Sequence, residues 1–325
     1  FVSGIIFVIL SVLPVREWMI NAIPKNLKLG ISAGIGLFLG FIAFQNADVV
    51  VANPATLVTF GDMAAPGAII CLAGFALIVA LTARGVRGAV IIGMLVATAL
   101  GLAVGAAKYQ GVIAAPPSLA PVLFKFDLMA VLDVSMVTVV LTMLLVDVFD
   151  TAGTLLGVAN RAGLTDADGK LPRLGRALLS DSTATVVGAV AGTSSTTSYI
   201  ESAAGVESGG RTGLVAVTAA GLFLLCLFFA PLAQTIPAFA TSAALLFVAC
   251  LMAKSLAELD WEDLTESAPA IVCALGMPLS FSIADGIGLG FITYVAIKVI
   301  SGRATECSAA VSVIGAVFLF KFLFL

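Results

Sequence analysis

The sequence predicts an all-α membrane protein that crosses the bilayer many times. Three observations support this class: 61% of the 325 residues are hydrophobic, only 11% are charged, and the mean hydropathy is +1.17. A soluble domain carries about a quarter charged residues, so most of this surface must face lipid. The apolar runs are too long and too weakly alternating for barrel strands, which leaves helices as the spanning elements.

The same counts exclude several functions. With 16 basic and 19 acidic residues, the net charge of −3 provides no basic surface for a nucleic acid. The chain has no histidine, which excludes His-ligated metals and imidazole proton relays. The five cysteines are scattered without a C-x-x-C pair, so we predict no metal, no other cofactor and no disulfide framework. Any proton chemistry must therefore use Asp or Glu.

Apolar runs give the predicted spanning helices in chain order. A spanning helix needs about 20 apolar residues, although broken helices can be shorter. The runs lie near 1–13, 28–45, 66–83, 88–106, 129–149, 179–191, 212–231, 238–253, 268–281 and 284–300, and a last run at 308–325 is left open as a span. Glycines in the second run, Gly30, Gly34, Gly36 and Gly40, predict close helix contacts. Because the chain begins at Phe1 inside an apolar run and without signal-peptide features, we expect part of the native protein to precede it.

The basic residues predict the orientation. If the first span ends in the cytoplasm, 13 of the 16 lysines and arginines lie inside, two lie in an outer loop and one lies in the last run. The opposite orientation would invert this bias. The count requires a short re-entrant element between Ala191 and Gly210, and it predicts a multi-pass protein of the cytoplasmic membrane.

The segment Leu145–Gly157 (LVDVFDTAGTLLG) places carboxylates in an apolar run. Asp150, Thr151 and Thr154 follow Asp147 by three, four and seven residues, so all four share one helical face. An ionised Asp at a helix centre costs about 2.5–3.5 kcal/mol on insertion scales, so such acids usually have a function. The alternative is that the acids lie solvated at the cytoplasmic end, and it carries more weight for Asp147 than for Asp150.

The segment Gly192–Gly213 (GTSSTTSYIESAAGVESGGRTG) contains six consecutive hydroxylated residues, Thr193–Ser198. Such a run is poor in helix propensity, and irregular backbone at membrane depth must be buried in protein or line a cavity. A short half-helix is predicted to follow, and Ser198 and Glu201 match a capping box at its start. Glu201 therefore has two open interpretations, a helix cap or a ligand group that points into the cavity.

Together the two segments predict a binding site. Two carboxylates with free backbone N–H groups at a half-helix start form an acceptor–donor–acceptor pattern. The pattern suits a planar heterocycle with ring N–H groups and a carbonyl, and it disfavours a simple anion. Burial favours the protonated form of a carboxylate, so the acids are also candidates for proton coupling. The other acids are interpreted as structural: Asp133 and Asp181 as helix-end groups, Asp285 as part of a turn, and Glu258, Asp260, Glu262, Asp263 and Glu266 as a solvated loop face.

These two motifs, together with Gln45–Gly61 (QNADVVVANPATLVTFG), resemble the AzgA-like purine permeases, a branch of the nucleobase–ascorbate (nucleobase:cation symporter-2) transporters. The resemblance covers essentially the whole chain. It implies proton-coupled uptake of adenine, guanine or hypoxanthine by movement of a core domain against a gate domain. It also implies an inverted 7+7 repeat with short irregular strands before broken half-helices. On that fold Phe1 falls at about the fourth segment, so the N-terminal segments are expected to be missing.

The related uracil-transporter fold implies roles for single residues. Asp150 and Glu201 match the two acids that hold the base, and Ile200 supplies the backbone N–H before the second acid. Thr154 stands where uracil transporters have a histidine, so coupling through that histidine is not expected. The full substrate-binding set is Asp150, Glu201, Ile200, Thr154, Tyr199 and Thr197, and the proton-coupling candidates are Asp150, Glu201 and Asp147.

The resemblance also divides the chain. The predicted parts are the end of the first-repeat core with its cytoplasmic connector (1–27), the first-repeat gate helices (28–106), the inter-repeat linker (107–129), the second-repeat core with the motifs (130–231), the second-repeat gate helices (232–303) and a C-terminal apolar segment (304–325). Related folds commonly dimerise through the gate, so a homodimer is compatible with the resemblance. The expected partners are purine nucleobases, protons and the lipid bilayer.

Two other classes of function compete with this one. An anion transporter, exchanger or channel on the same fold is the alternative, but it should have an uncharged or basic site, and the two acids count against it. A membrane-embedded enzyme would need a nucleophile with an activating base, or a metal constellation. The chain has no histidine and no Ser or Thr with an evident base, so we predict that it is not an enzyme.

Overall fold

A computed structural model describes residues 1–12, 23–133, 136–137, 139–140, 143–144, 147–148, 151, 154–155, 158–159, 164, 173–199, 202–207 and 209–324. In chain order its regular elements are α1 (Val2–Val12), α2 (Lys25–Asn46), β1 (Val50–Asn53), β2 (Leu57–Phe60), α3 (Pro66–Ala83), α4 (Ala89–Ala103), α5 (Leu174–Val190), α6 (Ser202–Glu207), α7 (Leu214–Cys226), α8 (Ala230–Gln234), α9 (Ala238–Ala253), α10 (Leu264–Ser280), α11 (Ile283–Ile300) and α12 (Ala309–Phe324). Every described residue from 136 to 159 is also helical, and we call this stretch the 136–159 segment.

The helices are apolar enough for a bilayer. Four described stretches have the length and composition of a membrane span, namely Lys25–Asn46, Pro66–Ala83, Leu214–Gln234 and Ala238–Glu258. Shorter apolar helices occupy Val2–Ser11, Ala89–Ala103, Leu264–Ser280 and Ala309–Leu323. The prediction of a helical, multi-pass membrane protein is therefore confirmed.

The chain divides into two compact units. Unit 1 consists of Phe1–Pro24, Pro117–Phe223 and Ser308–Leu325, and unit 2 consists of Lys25–Pro116 and Leu224–Cys307. The inverted repeat, and the core and gate boundaries drawn from the resemblance, remain predictions.

Unit 2 is held together by helices that approach closely at small residues. Helix α2 packs against α9 and α10, and α10 packs against α11. A Cβ on Gly30 would lie 2.5 Å from the carbonyl oxygen of Ala270, and one on Gly36 would lie 2.6 Å from the Cβ of Met252. The close contacts predicted from the glycines of this helix are thus present, because only hydrogen fits between the backbones.

A β-hairpin joins α2 to α3, and the sequence analysis missed it. Strands β1 and β2 are antiparallel, with Val50 opposite Phe60 and Asn53 opposite Leu57. The Asn53 Oδ1 atom closes the turn by accepting the backbone N–H groups of Ala55, at 2.8 Å, and Thr56, at 3.2 Å. The signal was present as two β-branched runs around Asn-Pro, a frequent turn pair.

Unit 1 contains the two motifs. Helix α1 packs against α5. The side chains of Phe7, Leu144, Val148 and Leu178 form a buried cluster that joins α1, the 136–159 segment and α5. Val148 is thereby fixed in the core, which places its neighbour Asp147 inside the protein.

Candidate functional site

The structure describes four of the seven residues predicted for the site or its proton coupling. Asp150, Ile200 and Glu201 lie outside the described residues. Tyr199 is 68% exposed, while Thr154 and Thr197 are half-buried. Asp147, with 4% of its surface exposed, is buried, which argues against the alternative of a solvated helix end.

Asp147 contacts helix α5 through a threonine. The hydroxyl of Thr185 lies 3.2 Å from Asp147 Oδ2, and both residues are buried. The same hydroxyl lies 2.9 Å from the carbonyl oxygen of Thr196 and accepts the backbone N–H of Thr196 at 3.3 Å. Thr185 therefore connects a buried carboxylate to the main chain of the second motif.

A second threonine joins the motifs directly. Thr151, which has no solvent exposure, donates its hydroxyl to Asp181 Oδ2 at 2.8 Å. Its Oγ1 atom also lies 2.9 Å from Thr197 Oγ1. Thr151 follows Asp150, and Thr197 precedes Glu201 by four positions, so this contact brings the sequence neighbourhoods of the two predicted ligand acids together.

Residues 193–199, which we call the linker strand, have neither helical nor sheet structure. Gly192, with φ of +84°, adopts a left-handed conformation that favours glycine and turns the chain out of α5. The linker strand then folds back over the same helix, where a Cβ on Gly188 would lie 2.6 Å from Thr196 Oγ1. The predicted irregular backbone before a short helix is therefore present. The capping box stays a prediction: Ser198 Oγ has no hydrogen-bond partner among the described residues, and Glu201 lies outside them.

The interpretation of Asp181 as a helix-end group was wrong. It lies inside α5, eight residues along a helix that begins at Leu174, and it accepts the Thr151 hydroxyl. Sequence reasoning also missed Thr185, although both residues lie on one face of α5 at an i, i+4 spacing. That spacing was the available signal.

The interpretation of the acidic stretch 258–266 as a solvated loop face was wrong for two of its members. Asp263 caps the N-terminus of α10, where its side chain accepts the Thr265 N–H at 2.9 Å, and it pairs with Arg303 at 2.7 Å. Glu266 pairs at 2.7 Å with Lys298, whose side chain has no solvent exposure. Lys298 also contacts Glu306 at 2.8 Å and Thr265 at 3.0 Å.

Tyr294 donates its hydroxyl to Glu266 at 3.0 Å and completes this group of residues. We call the group the α10–α11 ion cluster. Its hydrogen bonds set the ionisation of the two acids outside the helices. The bond from the Thr265 hydroxyl, followed by that from Arg303, lowers the pKa of Asp263 to about 2. Hydrogen bonds from Arg303 and then Lys298 lower the pKa of Glu306 to about 2. Both acids are therefore ionised at neutral pH, and the cluster joins α10, α11 and the connector that follows them.

Within the described part of the chain, no group of three Asp, Glu, Cys or His residues could hold a metal ion. The two polar clusters thus differ in composition. The one around Asp147 combines carboxylates with hydroxyl groups beside an irregular strand, and the α10–α11 ion cluster combines acids with matching cations. A buried carboxylate–hydroxyl cluster inside an apolar helical protein is typical of a transport pathway.

Comparison with known proteins agrees with this class. The Permease family model (Xan_ur_permease) matches residues 1–289. The chain therefore belongs to this family of membrane transporters and is not an enzyme. Its relatives are consistent with the purine branch of the nucleobase–ascorbate transporters, which the motifs had indicated.

Three relatives illustrate the similarity. The putative permease MJ0326 of Methanocaldococcus jannaschii is 45% identical over 100% of this chain and 75% of its own length. The adenine permease AdeP of Escherichia coli K12 is 44% identical over 100% of this chain and 73% of its own length. The guanine/hypoxanthine permease PbuG of Bacillus subtilis is 43% identical over 100% of this chain and 74% of its own length.

One solved structure supports the fold. The transmembrane domain of the cyanobacterial bicarbonate transporter BicA superimposes with a TM-score of 0.65 over 87% of this chain and 73% of that chain, at 14% sequence identity. At this identity the likeness supports the architecture of a membrane transporter and says nothing about the substrate.

Proposed function

We propose that the protein takes up purine nucleobases across the cytoplasmic membrane together with protons. The observation that carries the proposal is the 2.9 Å contact between Thr151 and Thr197, which joins the two motifs next to their acids. AdeP and PbuG both align with the whole of this chain. Their names, adenine permease and guanine/hypoxanthine permease, support adenine, guanine or hypoxanthine as the substrate.

In this proposal the acids contact the base. Asp150 and Glu201 accept hydrogen bonds from ring N–H groups, and the backbone N–H of Ile200 donates to a ring acceptor. Thr154, Thr197 and Tyr199 line the site. A planar base with alternating donors and acceptors satisfies such groups, and an analogue that lacks one donor leaves a buried acid unpaired.

Proton coupling follows from the same acids. A carboxylate in an apolar surrounding costs less when it is neutral, so the base and the proton can be carried together. Asp150, Glu201 and the buried Asp147 are the candidates. Transport then proceeds by alternating access, in which the core moves against the gate, and a homodimer through the gate is compatible with this movement.

Uptake of radiolabelled adenine and hypoxanthine into cells without their own purine permeases tests the proposal. We expect uptake that a proton uncoupler abolishes and that Asp150→Asn and Glu201→Gln each reduce at least tenfold. Exposed Glu262→Gln is the matched control and should transport normally, with expression in the membrane checked for every variant.

Two results would contradict the proposal. Full uptake by both acid variants would show that the acids do not bind or couple. Bicarbonate or other anion flux without purine uptake, from a well-expressed protein, would favour the anion-transporter alternative on this fold.

A further inference from the structure

Thr185 lies at a branch point in the hydrogen bonds of unit 1. Its hydroxyl faces three groups: the Asp147 carboxylate at 3.2 Å, the Thr196 carbonyl oxygen at 2.9 Å and the Thr196 N–H at 3.3 Å. Thr185 and Asp147 have 1% and 4% of their surface exposed, so water does not compete freely for the hydroxyl or the carboxylate, whereas Thr196 is exposed. The hydroxyl and the carboxylate must therefore find hydrogen-bond partners within the protein.

Whether all three hydrogen bonds of the Thr185 hydroxyl can form together depends on the protonation of Asp147. A hydroxyl has one proton to donate and two lone pairs that accept. The Thr196 N–H uses one lone pair, and the Thr196 carbonyl needs the proton. If Asp147 is ionised, its oxygen competes with that carbonyl for the single proton, and one of the two acceptors goes without it. If Asp147 is neutral, it donates to the second lone pair, and all three hydrogen bonds form together.

The neighbouring Thr151 has no such conflict. It donates to the Asp181 carboxylate at 2.8 Å, and it accepts from Thr197 at 2.9 Å. Both of these hydrogen bonds form whether Asp147 is ionised or neutral. The linker strand therefore has one attachment independent of Asp147, through Thr197, and one that depends on it, through Thr196.

We propose that Thr185 is a positioning residue that couples the proton on Asp147 to the docking of the linker strand. This inference rests on the proposed function, because Ile200 and Glu201 directly follow the linker strand. A proton from the outer solution neutralises the Asp147 carboxylate, Thr185 then donates to the Thr196 carbonyl, and the base-binding residues are held in place. When Asp147 releases this proton to the inner solution, the Thr185 hydroxyl donates its hydrogen bond to the carboxylate again. The Thr196 carbonyl then loses that hydrogen bond, and the linker strand is held less tightly.

Other ionisable residues lie on the same structural elements. Helix α5 carries Arg176 and Asp181, and α1 carries none. The 136–159 segment also contains Asp150. The linker strand and α6 contribute Tyr199 and Glu207, with Glu201 between them. Of the described acids, Asp147 is the one that shares its hydrogen-bonding hydroxyl with the backbone of the linker strand.

Four variants separate positioning from structure. Thr185→Val keeps the shape and removes the hydroxyl, while Thr185→Ser keeps the hydroxyl. Asp147→Asn replaces the carboxylate by an amide that donates to Thr185 at every pH. Thr183→Val is the matched control, because Thr183 is exposed on the same helix and its hydroxyl bonds only its own helix, at Leu179.

The first readout needs no substrate. Hydrogen–deuterium exchange of the peptide that spans the linker strand, corrected for the intrinsic exchange rate, is followed between about pH 5 and about pH 8 in the purified protein. In the wild type, protection should fall about fivefold to tenfold as pH rises, the effect of one hydrogen bond. Protection should stay high in Asp147→Asn and low in Thr185→Val, while Thr185→Ser and Thr183→Val should follow the wild type.

The second readout is equilibrium binding of radiolabelled adenine and hypoxanthine over the same pH range. We expect affinity to fall with pH in the wild type, to be lower and independent of pH in Thr185→Val, and to be retained at all pH in Asp147→Asn. Two results would overturn the inference. In one, the pH dependence of linker-strand protection survives in Thr185→Val, and in the other it is lost equally in Thr183→Val. Failure of every protein to bind a purine, with the exchange pattern intact, would overturn the proposed substrate instead.

Discussion

Lys298 and Glu266 form an ion pair of 2.7 Å in which the lysine side chain is fully buried. Lys298 is near the C-terminal end of α11, and Glu266 is in the first turn of α10, so the pair ties together the two ends of an antiparallel helix hairpin. Glu306 provides a second acid at 2.8 Å and Thr265 a hydroxyl at 3.0 Å, which gives each of the three ammonium protons an acceptor.

Removal of this lysine should destabilise unit 2. Lys298→Met keeps most of the length of the side chain but leaves Glu266 without its cation. Breaking a fully buried pair costs about 3–5 kcal/mol, and we expect a smaller loss because Glu306 is partly exposed. Cys71 and Cys273 are both buried in unit 2, so a thiol-reactive dye can report its thermal unfolding in detergent.

The control for this change is Lys254→Met, since Lys254 is exposed at the end of α9. Its melting temperature should stay close to that of the wild type. Equal melting temperatures for Lys298→Met and the wild type would show that the ion cluster contributes nothing to stability.

Acid should weaken the same cluster. Hydrogen bonds hold the pKa of Glu306 and of Asp263 at about 2, below their ordinary values of 4.5 and 3.8. The stabilisation is therefore complete above the ordinary values and is lost as pH falls from there toward about 2. We expect the melting temperature to fall over this range, and the difference between Glu306→Gln and the wild type to be smaller near pH 3 than at neutral pH. A difference that does not change with pH would contradict this linkage.

The tight contact between α2 and α10 should not tolerate a methyl group. Gly30→Ala would place a Cβ 2.5 Å from the Ala270 carbonyl oxygen and 2.7 Å from its Cα. Overpacking of this kind costs about 1–3 kcal/mol, which exceeds the gain of up to about 1 kcal/mol in helix propensity. Gly221→Ala in α7 is the control, because nothing lies within 4 Å of the added Cβ. Melting should thus decrease for the first variant and stay equal or rise for the second.

Loss of the Thr151 hydroxyl should impair transport with little change in folding. Thr151→Val removes the contact with Asp181 of α5 and the contact with Thr197, the latter of which joins the two motifs. We expect purine uptake at least fivefold lower than in the wild type, since the half-buried Asp181 loses a donor. Thr218→Val is a suitable control because Thr218 is exposed and bonds only its own helix. Normal uptake by Thr151→Val would show that this contact does not organise the site.

The sequence predicted those parts of the fold and site that depend on local pattern. Long apolar runs marked the helices, and the spacing of Asp147 and Thr151 placed both on one helical face, which the structure shows to be buried. The run of hydroxylated residues before Tyr199 marked an irregular strand. Each of these signals lies within a few residues of the chain, where periodicity and propensity carry information.

What the sequence missed depends on contacts between distant residues. Thr185 looked like any threonine of an apolar helix, and its function comes from Asp147, which lies 38 positions earlier. Lys298 lies in the predicted span 284–300, and nothing near it in the sequence indicates its partner Glu266, which lies in the first turn of another helix. Pairing of this kind is fixed by tertiary packing, and no local pattern records it. The hairpin at β1 and β2 is different, because its turn signal was present and was not used.

The contact of Gly30 with Ala270 has a mechanical consequence. Two helices that meet through side chains can absorb a small displacement by changing rotamers, whereas backbone atoms in direct contact have no rotamers to change. A shift of α2 along its axis must therefore displace α10 by nearly the same amount. The two helices move as one rigid pair, and any bending that transport requires must take place at interfaces filled by side chains and not by glycines.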